Sequence, residues 1–162
     1  MKRLIILRHG KAAANASTGE DFDRPLVERG EIEAAAMGRL LAEKGLVPDL
    51  ALVSPAARTK GTWEAAQPSF PNARAEFPRT LYNADARLVR GLAEVADAEV
   101  ILVIGHNPGL QELVARLMSD AGAPADQVLR ARTHFPTATA AAFSFGEAGV
   151  TFEGLFYPGG RG

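Results

Sequence analysis

Three short aliphatic runs constrain the fold most: Leu4-Ile5-Ile6-Leu7, Leu50-Ala51-Leu52-Val53 and Val100-Ile101-Leu102-Val103-Ile104. Unbroken apolar runs of this length, without polar alternation, read as strands buried on both faces of a parallel sheet. Between them lie stretches with helical spacing. Residues 27–44 carry Ile32, Ala35, Ala36, Arg39 and Leu40, with Gly45 as a stop signal. Ser54-Pro55 predicts a helix start, Ser as N-cap and Pro as first helical residue, running to about residue 67. Asp85 can cap a helix over 86–96 with a stripe of Leu88, Leu92 and Val95, and residues 110–118 resume helical spacing after Asn107, a good N-cap, and Pro108, a good first helical residue. This strand–helix alternation predicts a three-layer α/β/α sandwich with a mostly parallel central sheet. Residues 137–145 and 150–156 read as two β segments that make one edge mixed, and Pro68, Pro71 and Pro78 mark a connection with a short edge strand. Residues 121–132 read as a small-residue connection with a helical later part, and Gly159-Gly160-Arg161-Gly162 as a frayed tail. No linker or repeat divides the chain, so one domain over 1–162 is expected.

Composition narrows the function. An apolar fraction of 47% and a charged fraction of 23% are those of a globular protein. The net charge of −1 provides no global field for nucleic acid, and no stretch approaches a membrane span. The absence of cysteine excludes thiol catalysis and zinc–thiolate sites. Without a signal-peptide pattern after Met1-Lys2-Arg3, a cytoplasmic location is expected.

The chemistry sits where the apolar runs end. Leu7 leads into Arg8-His9-Gly10, Ile104 leads into Gly105-His106-Asn107, and the middle run ends at Ser54-Pro55 with Arg58 on the next helical turn. In open α/β sheets ligands bind beyond the carboxyl ends of the strands. If the three strands are neighbours, two histidines and two arginines converge on one pocket, and the helix starts after Ser54 and Asn107 add favourable dipoles. Such a pocket suits a phosphoryl group.

The ordered set Leu7-Arg8-His9-Gly10-Lys11, Asp23-Arg24-Pro25-Leu26 with Glu28-Arg29-Gly30, Ser54-Pro55 with Arg58-Thr59 and Thr62, Leu81-Tyr82-Asn83-Ala84, Gly105-His106-Asn107-Pro108-Gly109 and His134-Phe135-Pro136-Thr137 resembles the histidine phosphatase superfamily, with its phosphoglycerate mutase-like fold. Within it the chain is most similar to the small SixA-type branch of phosphohistidine phosphatases. The resemblance implies that His9 attacks phosphorus and is transiently phosphorylated. It implies a catalytic set of His9, Arg8, Arg58 and His106, with Arg8, Arg24, Arg58 and His106 binding the substrate phosphate. No metal or other cofactor is implied. The implied partner is a phosphohistidine-bearing protein of the phosphorelay or phosphotransfer type, or a small phosphate ester, with no nucleic acid and no membrane.

Larger relatives carry a carboxylic acid that protonates an alkoxide leaving group. Glu76 and Asp85 lie in the corresponding segment here without fitting a matching motif. Imidazole leaves more readily than an alkoxide, so phosphohistidine needs that acid less. Alternatives are a small-molecule phosphomonoesterase that uses Glu76 or Asp85, or a non-catalytic phosphate- or phosphoprotein-binding module. Arg24 can instead pair with Asp21 or Asp23. Lys11 borders the site, His134 reads as structural or surface, and Trp63, Phe143 and Phe145 read as core.

Overall fold

A computed structural model describes residues 1–160. The three aliphatic runs form adjacent parallel strands. In chain order the main elements are β1 (Arg3–Arg8), α1 (Glu28–Glu43), β2 (Leu50–Val53), α2 (Ala57–Ala66), β3 (Arg74–Glu76), α3 (Ala86–Val95), β4 (Val100–Gly105), α4 (Gly109–Asp120), α5 (Ala125–Thr133), β5 (Ala140–Gly146) and β6 (Gly149–Phe156). One sheet runs β3-β2-β4-β1-β5-β6. Its first four strands are parallel, β5 runs antiparallel to both neighbours, and the mixed edge is the expected one.

The unbroken runs are explained by a core on each side of the sheet. Leu4, Ile6, Leu50, Leu52, Ile101 and Val103 pack under α3, α4 and α5, against Val89, Leu113, Leu117 and Ala131. Ile5, Leu7, Ala51, Val53, Leu102 and Ile104 face the other way, against Met37, Leu41, Trp63 and Ala66 of α1 and α2. Alternate residues of each run therefore serve opposite layers, and neither layer needs a polar position.

Several local expectations are corrected. The face of α1 that meets the core is Gly30, Ala34, Met37, Gly38 and Leu41, whereas Ile32 is exposed. Small residues win there because α1 lies close on α2: a Cβ on Gly38 would come within 3.0 Å of Ala66 Cα. In α3 the buried positions are Ala86, Val89 and Ala93, while Leu88 and Val95 face solvent. As expected, the later part of the 121–132 connection is helical, as α5, and the short edge strand is there, as β3. Gly45, at φ 74°, ends α1 as expected. Trp63 and Phe143 are core, and Phe145 is half-buried against it. Gly159 and Gly160 belong to a single 3₁₀ turn, and Arg161 and Gly162 of the expected tail lie outside the described residues.

One close approach sets the position of the first functional loop. A Cβ on Gly10 would sit 2.6 Å from the Gly30 carbonyl oxygen, and a Cβ on Gly30 would strike the Lys11 carbonyl oxygen, which accepts from Val27 N–H at 3.0 Å. Gly30→Ala is therefore expected to destabilise the fold by about 1–3 kcal/mol through overpacking. Comparison of thermal unfolding midpoints checks this, and an unchanged midpoint would contradict the packing described.

Candidate active site

The strand order places the ends of β2, β4 and β1 side by side. Arg8 is in register with Gly105, His9 N–H donates to the Gly105 carbonyl at 3.1 Å, and Ser54 N–H donates to the Ile104 carbonyl at 3.0 Å. His9 and His106 are thereby brought together, their ring centroids 5.4 Å apart. A cavity of about 310 Å³ opens there, lined by Arg8, His9, Arg24, Arg58 and His106, with exposed Lys11 at its mouth. All five residues expected at the phosphate site line this one cavity.

Local bonds orient each group. His9 Nδ1 lies 2.7 Å from the Gly10 carbonyl, an acceptor, so Nδ1 carries the proton and Nε2 is the basic nitrogen left for a substrate. Gly10 N–H donates to Thr62 Oγ1 at 2.9 Å, and that hydroxyl donates to the Arg58 carbonyl at 2.8 Å, tying the loop after β1 to α2. Arg8 Nη1 and Asn107 Nδ2 both donate to the Phe135 carbonyl at 3.0 Å. Three buried nitrogens of the cavity residues, Arg8 Nε, Arg58 Nε and His106 Nδ1, have no partner among protein atoms. Unsatisfied buried donors are costly, and an anion that accepts from them recovers the cost.

The two predicted helix starts are corrected. Helix α2 begins at Ala57 behind Ala56, and Ser54 does not cap it. Its hydroxyl is 2.7 Å from His106 Nε2 and can donate to it, which leaves Nδ1–H of a neutral His106 as a donor. Helix α4 begins at Gly109 behind Pro108, and Asn107 bonds Phe135 instead of capping. Asp85 does cap α3, accepting from Leu88 N–H at 2.8 Å. It also lines a second cavity of about 290 Å³ that shares Arg58 and His106 with the first. Glu76 lies on edge strand β3, is exposed, and lines neither cavity. His134 is an exposed residue stacked on Tyr157.

Arg24 lines the cavity and also makes the expected alternative pair, its Nε donating to Asp21 Oδ1 at 2.9 Å. Asp21 and Tyr82, to which the sequence assigned no role with Arg58, are also part of the arrangement. Asp21 Oδ2 accepts from Arg58 Nη2 at 3.1 Å and from Tyr82 Oη at 2.5 Å. The available signals were the Asp21-x-x-Arg24 spacing and the place of Tyr82 in the Leu81-Tyr82-Asn83-Ala84 motif; neither shows the contacts that Asp21 makes with Arg58 and Tyr82, 37 and 61 residues away.

Electrostatics keeps both site histidines neutral. Burial, and then the charges of Arg8, Arg58 and Arg24, push the His9 imidazolium from the ordinary 6.5 down to about 4 against the raising effect of the Gly10 carbonyl. Burial, then Arg58 and His9, push His106 down to about 3. Burial and nearby Arg58 lower Arg8 as well. The Tyr82 hydroxyl, followed by Arg24 and Arg58, holds the Asp21 carboxyl well below the usual range. A folded imidazole that resists protonation binds fewer protons than the unfolded chain between 6.5 and 4. Stability is thus flat above 6.5 on this account and falls as pH drops toward 4, by about 1.4 kcal/mol per pH unit for each histidine. Urea midpoints at pH 7.5 and pH 5 measure this. A midpoint equal at both, in wild type, would contradict it, and His106→Asn is expected to remove about half of the slope.

Among the described residues no three His, Cys, Asp or Glu side chains are grouped to hold a metal ion, and no helix is long and apolar enough to cross a membrane.

Comparison with known proteins agrees with the geometry. The family model of the histidine phosphatase superfamily (branch 1) matches residues 4–72. An uncharacterized chloroplastic protein of Arabidopsis thaliana is 31% identical over 128 residues, 72% of this chain, and the aligned part spans 59% of that relative's length. The fold is similar to the crystal structure of a protein assigned as phosphohistidine phosphatase SixA from Agrobacterium tumefaciens, with TM-score 0.84 and 29% identity over 97% of this chain and 98% of that one. It is also similar to the protein histidine phosphatase SixA complexed with tungstate, with TM-score 0.75 and 28% identity over 96% and 97% of the two chains.

Proposed function

Because the chain belongs to the histidine phosphatase superfamily, we propose that it hydrolyses phosphohistidine on a protein through a phosphorylated His9. The observation that carries this reading is a neutral His9 whose tautomer is held by the Gly10 carbonyl, in a cavity walled by Arg8, Arg24 and Arg58. Its Nε2 lone pair attacks phosphorus while the P–N bond to the substrate imidazole breaks. That imidazole, protonated on its other ring nitrogen, leaves neutral and takes no proton from the enzyme. Water then attacks phospho-His9 and gives its proton to solvent, which frees phosphate and His9. The arginines and His106 Nδ1–H supply donors to the equatorial oxygens, where phosphoryl transfer is catalysed mainly by positioning and charge. Likeness to SixA proteins, one of them holding the tetrahedral oxyanion tungstate, supports the phosphate assignment.

A second reading has one observation behind it. Asp85 lines the adjoining cavity that shares Arg58 and His106, so a phosphomonoester is the competing substrate. Phosphate release from a phosphohistidine protein and from p-nitrophenyl phosphate, measured side by side with and without chelator, separates the two. Faster release from phosphohistidine, unchanged by chelator, is expected. Preference for the ester, lost in Asp85→Asn, would replace this reading with a monoesterase. Phosphate binding without release from either would make the protein a binding module.

A further inference from the structure

Asp21 holds more of the site together than its exposed position suggests. It opens a one-turn 3₁₀ helix, Asp21–Asp23, in the loop between β1 and α1. Its side chain is 54% exposed, and an ion pair at such a position is ordinarily worth little. Here, however, Oδ1 takes Arg24 Nε at 2.9 Å, while Oδ2 takes Arg58 Nη2 at 3.1 Å and the Tyr82 hydroxyl at 2.5 Å. Arg58, whose side chain is only 7% exposed, also donates Nη1 to the Asp21 backbone carbonyl at 2.9 Å. The neighbouring Phe22 ring meets Tyr82 edge-on with centroids 5.0 Å apart, and Tyr82 meets His106 in the same way at 5.6 Å. Both arginines line the phosphate cavity, and Asp21 does not.

We propose that Asp21 is a positioning residue: its carboxylate clamps Arg24 and Arg58 in one joint orientation at the cavity wall, and Tyr82 locks the clamp. The proposal rests on the reading of that cavity as a phosphate pocket. The clamp takes Nε and leaves Nη2 free on Arg24, whose Nη1 is held by the Ala13 carbonyl at 2.9 Å. It takes one N–H from each terminal nitrogen of Arg58 and leaves the second N–H on both, while the buried Nε has no partner among protein atoms. Each guanidinium plane is thus fixed with terminal N–H groups to spare, and the rotamer freedom of two long side chains is given up before substrate arrives. Asparagine cannot replace this carboxylate. With its oxygen toward Arg58 and Tyr82, its NH₂ would face the Arg24 donor.

The test is a double-mutant cycle between Asp21→Asn and Arg58→Ala, read in two ways: kcat/KM on whichever substrate the wild type turns over, and affinity for inorganic phosphate by calorimetry. Asp21→Asn alone is expected to lower kcat/KM about tenfold or more and to weaken phosphate binding about threefold to tenfold. In the Arg58→Ala background the same change should cost less than about twofold in both, because the joint hold on Arg58 is already lost and the asparagine oxygen can then turn to Arg24. Equal losses in both backgrounds, or no loss in either readout, would overturn the proposal, since a merely structural loop residue gives additive effects. If Asp21→Asn fails to fold, Tyr82→Phe serves in its place, with an expected loss of about threefold that also vanishes beside Arg58→Ala. A wild type that binds phosphate but turns over neither a phosphohistidine protein nor an ester defeats the phosphatase reading, and the phosphate arm still decides on Asp21. A wild type that does not bind phosphate defeats both.

Discussion

His9→Ala is expected to lower turnover by about 10⁴-fold or more while the protein still binds phosphate. The size follows from the role: removing a nucleophile deletes the reaction path, and such losses reach about 10⁶ in well-studied hydrolases. Phosphate binding persists because the donors Arg8, Arg24, Arg58 and His106 belong to other residues and are fixed by other bonds. The buried His9 ring and the half-buried His106 ring lie 5.4 Å apart, and of the two only His9 has its Nδ1 bonded to a backbone carbonyl. His106→Ala should therefore be the milder change. Steady-state rates and phosphate calorimetry on the two variants check this. A His9→Ala protein with appreciable turnover would remove His9 as the nucleophile.

Arg58→Ala is expected to show the next largest effect, a loss in kcat/KM of about a hundredfold or more. A preorganised donor aimed at developing charge in a site shielded from water is worth about 10²–10³ in rate. Arg58 is the most deeply placed cation of the cavity, and it also carries the bonds to Asp21. Lysine should rescue little, because a point charge cannot serve Asp21 and a substrate oxygen together as a planar guanidinium does. The same kinetics measured on Arg58→Lys decide this, and a lysine variant with near wild-type rates would show that charge alone suffices.

Much of the fold was legible because its strongest signal, runs buried on both faces, depends on few neighbours. Leu4 to Leu7 and Val100 to Ile104 could hardly be anything but interior strands, and Arg8, His9 and His106 follow from where those strands stop. The helix faces were less legible. In α1 the face against the core includes, beside Met37 and Leu41, the small residues Gly30, Ala34 and Gly38, whose size hides a close approach to α2 and to the loop at Lys11, while the more apolar Ile32 faces solvent. The capping signals at Ser54 and Asn107 were misleading because each side chain has a tertiary partner, His106 and the Phe135 carbonyl respectively. Those partners override a local preference worth about 1 kcal/mol. The contacts of Asp21 with Arg58 and Tyr82 stayed hidden for the same reason in a stronger form: the sequence offers Asp21 as a partner for nearby Arg24, but nothing local marks a carboxylate that will also meet an arginine and a tyrosine far along the chain.

The most direct test of the covalent mechanism is to quench the protein during turnover of a phosphohistidine substrate and find the phosphoryl group by peptide mass spectrometry under alkaline conditions that preserve phosphohistidine. One phosphoryl group on the peptide that contains His9, acid-labile and absent from His9→Ala, is the predicted result. Turnover without any phosphorylated peptide, or with the group on a different residue, would contradict it.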